Sequence, residues 1–244
     1  MDTIKQKRLF KIANLIKKNS IVVDIGTDHG LLLKFLLENK ISKKTVGVDI
    51  SEKCLKKYID LTKEEGSRAV ACISNGLEKI KPFEADTLTV CGMGGNLICE
   101  ILSNHLDKAK SFNQIVLQAN NGIYELRKFL FENGFYIENE IDLFEKDIYY
   151  QILDVREGPD FYKYDFEFIY GKVLIKNKSK NLYRYLNQEF EKNESVKNSL
   201  LTKENKTENI INRLNLLENK LEEMIHALVE VVKNIKNVAV KINN

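Results

Sequence analysis

A chain of 244 residues with 43% hydrophobic and 30% charged content fits a soluble globular protein of one large domain, or one domain plus an appendage. No apolar run approaches the roughly 18 residues needed to span a bilayer, and a net charge of +3 is too small by itself to demand a nucleic-acid partner. The four cysteines, Cys54, Cys72, Cys91 and Cys99, contain no C-x-x-C pair and read as buried free thiols, and three histidines leave little from which to build a zinc centre. No metal and no membrane are expected. The start has no apolar h-region and no small-residue cleavage site, which points to a cytoplasmic protein.

In chain order, Ile4 to Ser20 comes first, helix-periodic, with six Lys/Arg and no acid. Short apolar runs then alternate with helical stretches. Strands are expected at IVVDIG, TVGVDI, AVACIS, TLTVCGMG and QIVLQAN, and two antiparallel strands within FYIENEIDLFEKDIYYQILDV; helices are expected at Leu31 to Glu38, Ser51 to Glu64, Asn96 to Leu106 and Gly122 to Asn133. Strands separated by helices mean βαβ units and a parallel sheet covered on both faces. The loop residues after each strand then share one ligand-binding edge.

Gly158-Pro159 ends this regime, giving a Rossmann-like α/β domain over 1–158 and a helical domain over 159–244. Leu182, Leu186 and Phe190 share one helix face, and a polar break, TKENKTEN, follows. Apolar residues then recur at Ile210, Leu214, Leu217, Leu221, Met224, Leu228, Val231, Ile235 and Val238, alternating steps of four and three. That is a coiled-coil seam. An antiparallel hairpin within a monomer is the economical arrangement; a parallel homodimer zipper is the rival. Between Phe168 and Gln188 stand Lys172, Lys176, Lys178, Lys180 and Arg184 with no acid, either a solvated face or a clamp on a nucleic-acid backbone.

Chemistry concentrates after the strands. The loop Asp24-Ile25-Gly26-Thr27-Asp28-His29-Gly30 closes one strand and opens a helix, yet a dinucleotide fingerprint would need glycine at position 28. Asp28 would repel a pyrophosphate, by about 4 kcal/mol for like charges roughly 4 Å apart at a surface-like dielectric. A nicotinamide cofactor is therefore disfavoured. S-adenosylmethionine carries a sulfonium and an ammonium and no phosphate, and it suits an acid-rich loop. The loop resembles motif I of the class I methyltransferases, which implies that Asp24 meets the methionine end and that Gly26 lets the backbone approach; His29 joins this set, and Asp28 also reads as a helix cap.

Asp49, nineteen residues after Gly30, ends the second strand with Ile50 beside it. Its carboxylate suits two ribose hydroxyls. In that superfamily the turn Ser74-Asn75-Gly76-Leu77 would offer Asn75 to the cofactor's adenine. Gly92, Met93 and Gly94, in CGMGGNL, present bare backbone. Gln118-Ala119-Asn120-Asn121 brings amides to the same edge.

Together DIGTDHGLL, VCGMGG, LQANNGIYELRKFL and YYQILDV, in this order and followed by a helical hairpin, resemble the TrmK family, bacterial tRNA adenine-N1-methyltransferases acting at position 22 of tRNA. The resemblance covers essentially the whole chain. It implies a class I methyltransferase (Rossmann-like) domain with a C-terminal α-helical coiled-coil hairpin, S-adenosylmethionine as cofactor, tRNA as partner, catalytic roles for Asp28 and Asn120, and a stacking or packing Tyr150. Two departures stand out: Ser74-Asn75-Gly76-Leu77 where the family shows GDGL, and Ala119 where it shows the proline of LQPN. Two other readings remain open at this stage, a class I methyltransferase on a small molecule or protein and a non-catalytic tRNA-binding adaptor.

Overall fold

A computed structural model describes residues 7–203 and 207–242, the last nine of them, 234–242, by their backbone alone. Lys5 in the basic N-terminal run, residues 204–206 in the polar break, and the side chains of Ile235 and Val238 lie outside the described residues. The chain divides into two compact units, the first ending at Phe161 and the second beginning at Tyr162.

The first unit begins with α1 (Lys7–Leu15) and continues through β1 (Ser20–Ile25), α2 (Leu31–Glu38), β2 (Ser42–Asp49), α3 (Glu52–Leu61), β3 (Ala69–Ile73) and β4 (Thr87–Met93). It is completed by α4 (Gly95–Ser103), α5 (Leu106–Lys110), β5 (Gln114–Ala119), α6 (Ile123–Glu132), β6 (Phe135–Glu145) and β7 (Ile148–Glu157). The seven strands form one sheet in the order β3-β2-β1-β4-β5-β7-β6. Its first five strands run parallel, whereas β7 pairs antiparallel with both β5 and β6. Strand order reverses between β1 and β4, and a crevice opens outside the carboxyl ends of strands at such a point.

The hydrophobic runs dictate this arrangement. Val22, Val23, Leu88, Val90, Ile115, Val116 and Leu117 are all essentially inaccessible, as expected of strands covered on both faces. Helix α1 is amphipathic; Ile12, Ala13 and the following Ile16 enter the core, and Phe10 meets Phe35 of α2 edge-on with ring centroids 4.9 Å apart. Lys146 and Asp147 both adopt positive φ, the backbone a two-residue β6–β7 hairpin turn requires. Arg127 of α6 and Glu140 of β6, both fully buried, face each other at 2.7 Å.

Three sequence expectations change in detail. The helix expected over Asn96 to Leu106 stops at Ser103, capped at Asn104, and α5 starts separately. The four cysteines are free but only partly buried. Asp28 does not cap α2: Gly30 holds the N-cap position with no side-chain cap bond.

In the second unit α7 (Asp165–Tyr170) and α8 (Lys172–Lys176) precede two long helices, α9 (Lys180–Leu201) and α10 (Glu208–Ile242). The sequence shows this region as helical without separating α7 from α8; Gly171, at φ 97°, makes the break. Leu182 and Leu186 of α9 and Leu214, Leu221, Met224, Ala227 and Val231 of α10 are buried. The α9–α10 hairpin is antiparallel, with Lys197 Nζ 2.8 Å from Glu218 and Lys220 Nζ 3.7 Å from Glu189. Leu217 and Leu228 of the expected seam are only partly covered, and Ala227, outside it, is fully buried.

Candidate functional site

Asp24 is the one acid in a strand otherwise built of Ser, Ile and Val. It pairs in register with Thr89 of β4, whose hydroxyl donates to Oδ1 at 2.6 Å, while the Thr27 hydroxyl donates to Oδ2 at 3.0 Å. Burial pushes its carboxyl up to about 6; the two threonine hydrogen bonds oppose that shift, and the nearby Asp49 charge adds to it. The site thus holds a carboxyl that lacks a cationic partner among the described residues around it.

The turn after β1 carries the backbone past this carboxyl. Gly26 N–H donates to Val48 of β2 at 2.8 Å and Gly30 N–H to Thr27 at 2.7 Å. Gly26 lies at φ 74°, and a Cβ there would fall 2.0 Å from Met93 Cε. Asp28 lies at φ 43°, a left-handed conformation that Asp tolerates better than most residues. Its carboxylate is two-thirds exposed, 3.5 Å from His29 Nε2, and accepts a long contact of 3.7 Å from Cys54 Sγ. Asp49 Oδ1 accepts from the Ser51 N–H at 2.8 Å, and Ser51, not Asp49, caps α3.

These groups border a cleft of about 500 Å³, within the range of small-molecule sites. Asp24, Gly26, Asp28, His29 and Asp49 form its β1–β2 side; Cys91, Gly92, Met93 and Gln118 line its β4–β5 side, and Arg8, Leu9 and Ile12 of α1 complete it. Burial raises the Cys91 thiol well above its ordinary range, so it stays a neutral wall.

Sequence reasoning missed Arg8 and Thr89, and it named Gln118 only as one of the amides at this edge. The Arg8 guanidinium lies 4.6 Å from the Tyr150 ring centroid and reaches Asn120 Oδ1 at 3.5 Å, while its backbone N–H donates to Glu145 at 3.2 Å. Tyr150 therefore packs beneath a cation. Asn120 Nδ2 donates to the Gly92 carbonyl at 2.7 Å. Arg8 belonged to a basic run, but nothing local distinguishes it from Lys7 or Lys11; Thr89 signals itself only through its register with Asp24.

A family model described as a methyltransferase domain matches residues 5–153. The tRNA (adenine(22)-N(1))-methyltransferase of Bacillus subtilis is 27% identical over 197 residues, spanning 78% of this chain and 83% of its own. A Mycoplasma pneumoniae protein provisionally named a tRNA methyltransferase is 31% identical over 189 residues, 75% of this chain and 87% of its own. The chain belongs to the TrmK family of methyltransferases. The crystal structure of the Bacillus subtilis TrmK superposes with a TM-score of 0.79 at 25% identity, covering 91% of this chain and 97% of that one. A Streptococcus pneumoniae protein, provisionally a tRNA (m1A22) methyltransferase and solved with S-adenosyl-L-methionine, gives 0.79 at 26% identity over 91% and 98%.

Against this TrmK fold, the expected site residues separate. Asp24, Gly26, Asp28, His29, Asp49, Gly92 and Met93 gather at the cleft, with Asn120 hydrogen-bonded to its wall. Ile50 is 74% exposed and lies outside the lining. Asn75 and Gly76, after β3, and Gly94, the N-cap of α4, also lie outside it. Lys172, Lys176, Lys178, Lys180 and Arg184 belong to the second unit, where Lys172 Nζ sits 4.5 Å over the Tyr162 ring and Lys178 adopts φ 57°. Among the described residues no helix is long and apolar enough to cross a membrane, and no three His, Cys, Asp or Glu side chains gather to hold a metal ion.

Proposed function

We infer that this chain transfers a methyl group from S-adenosylmethionine to N1 of adenine at position 22 of tRNA. The observation that carries the cofactor reading is the acid-lined cleft at the switch point of the sheet, with Asp24 and Asp49 at the ends of adjacent strands and a glycine turn between them and Met93, while the likeness to the Bacillus subtilis enzyme supports the acceptor.

The residues fit the cofactor. Asp24 takes its ammonium, which offsets the desolvation that raises this carboxyl. Asp49 accepts from its ribose hydroxyls, and the absence of a Cβ at Gly26 leaves the backbone approachable. Asn75 and Gly76 lie outside the lined cleft, so the adenine end depends on less than the family pattern suggests. When bound, the cofactor supplies an electrophilic methyl group on a sulfonium.

Adenine N1 already carries a lone pair, so this chain needs no strong base; it has to hold the ring in line, and positioning of that kind is worth on the order of 7 kcal/mol or more. Asn120, fixed by its bond to Gly92, holds the ring edge. Asp28, at the rim, faces the positive charge that develops on the ring. N1 lies on the Watson–Crick edge, so the base enters unpaired or extruded.

The basic stretch from Lys172 to Arg184 binds the tRNA backbone, together with the cationic face of α1. The chain works as a monomer in the cytoplasm, without a metal ion or a membrane. Packing of the α10 seam against α9 of the same chain supports the monomer.

Incubation with labelled S-adenosylmethionine and unmodified tRNA, followed by nucleoside mass analysis, tests the reading. The expected product is 1-methyladenosine, lost in Asp24→Ala and when adenine 22 is replaced. Cofactor binding without methyl incorporation into tRNA transfers the activity to another acceptor.

A further inference from the structure

Two buried side-chain polar atoms among the described residues lack a hydrogen-bond partner, Ser42 Oγ and Gln118 Oε1. Ser42 opens strand β2, at the end of the strand opposite Asp49. Gln118 lines the cleft. Its side chain is fully inaccessible in the unliganded protein, so a base reaches Oε1 only by displacing the side chains that cover it. Strand β5 brings Gln118 into register with Cys91 of β4, the residue before Gly92.

The orientation of this amide follows from its neighbours. The Gly92 carbonyl can only accept, so Asn120 must turn Nδ2 towards it, at 2.7 Å. Asn120 Oδ1 is then left to accept, from Gln118 Nε2 at 3.2 Å and from Arg8 at 3.5 Å. Reversing Gln118 would set two carbonyl oxygens face to face. The Oε1 atom is therefore held as an acceptor with no donor, an arrangement proteins retain where a ligand completes it.

We propose that Gln118 Oε1 accepts a hydrogen bond from the 6-amino group of the target adenine and so determines which base is methylated. The inference rests on the acceptor reading given above. Strand order selects the donor: Asp24 and Asp49 sit on β1 and β2, whereas Gln118 lies across the switch point on β5, beside Asn120 and Arg8. Adenine carries N1 and its amino donor side by side on one edge. Guanine and hypoxanthine carry an oxygen at that carbon, which would face Oε1 as a second acceptor; rejection of this kind is strong because a buried group is left unpaired.

The experiment compares tRNA bearing adenine at position 22 with tRNA bearing purine riboside there, which keeps N1 and lacks the amino group. Purine's weaker nucleophilicity counts equally in every enzyme form, so a change in preference isolates the contact. In Gln118→Met, which keeps the shape and loses the acceptor, the preference in kcat/KM for adenine over purine should shrink by about 10- to 100-fold, with S-adenosylmethionine affinity unchanged. Gln118→Leu, which also removes the acceptor, should shrink the preference likewise, and it carries the test if the Met variant fails to fold. An unchanged preference in a folded Gln118→Met or Gln118→Leu variant overturns the inference. A wild-type protein that binds cofactor but methylates no tRNA overturns the acceptor reading instead, and this inference with it.

Discussion

Asp24 controls how the unliganded protein responds to pH. Its carboxyl titrates near 6 in the fold and near 3.8 in the unfolded chain, so folding takes up a proton between these values and stability falls as pH rises through that window. Above it the ionised group costs the unliganded protein about 3 kcal/mol. Asp24→Asn should melt higher than the parent at pH 7 to 8, lose most of the slope in melting temperature between pH 4 and 6, and bind S-adenosylmethionine at least roughly tenfold more weakly; thermal denaturation and calorimetry measure both. An ammonium needs the ionised form, so cofactor affinity in the parent should fall below about pH 6. Arg8 makes the converse case, because its guanidinium touches Asn120 and Tyr150 on the acceptor side. Arg8→Ala should lower kcat/KM for tRNA by about tenfold, with cofactor affinity unchanged. Asp24 is legible in the sequence because an acid interrupts an apolar strand just before a glycine turn. Arg8 is not, since its partners lie 112 and more residues away.

At the scale of elements, the strands and most helices follow from local alternation of apolar runs and periodic faces, because each pattern is written within a few consecutive residues. The pairing of β7 between β5 and β6 is not written there. It depends on hydrogen bonds between segments far apart, and either of the last two strands could satisfy β5 by its own pattern. The junction of α4 and α6 is another tertiary fact. A Cβ on Gly95 would fall 2.1 Å from the Gly122 carbonyl oxygen, and the Gly95 N–H donates to Asn121 at 2.9 Å. Gly95→Ala must push apart two backbones, which should cost about 1–3 kcal/mol in chemical denaturation. The same shift moves the turn that follows Asn120, so methyl transfer should fall more than cofactor affinity.

Across the whole molecule, the two units have separate tasks under the proposed function. A chain ending at Phe161 should keep cofactor affinity and lose tRNA affinity, and reversing the charges of Lys176, Lys178 and Lys180 should weaken tRNA binding in the full chain without touching the cofactor. Titrations at two salt concentrations check this: the triple variant should show a shallower dependence of binding on salt, because fewer counterions are released. Unaltered affinity at moderate salt removes the clamp. The sequence by itself determined the class of fold, the acid-marked turn and the helical second half, because these are carried by neighbouring residues and by periods of two and 3.6. Only the tertiary structure decided that Asp24 is buried between Thr27 and Thr89, that Arg8 closes the cleft over Tyr150, and that Gln118 keeps an unanswered carbonyl. Each depends on side chains brought together from elements remote in the chain, where register and packing, not local pattern, set the distances.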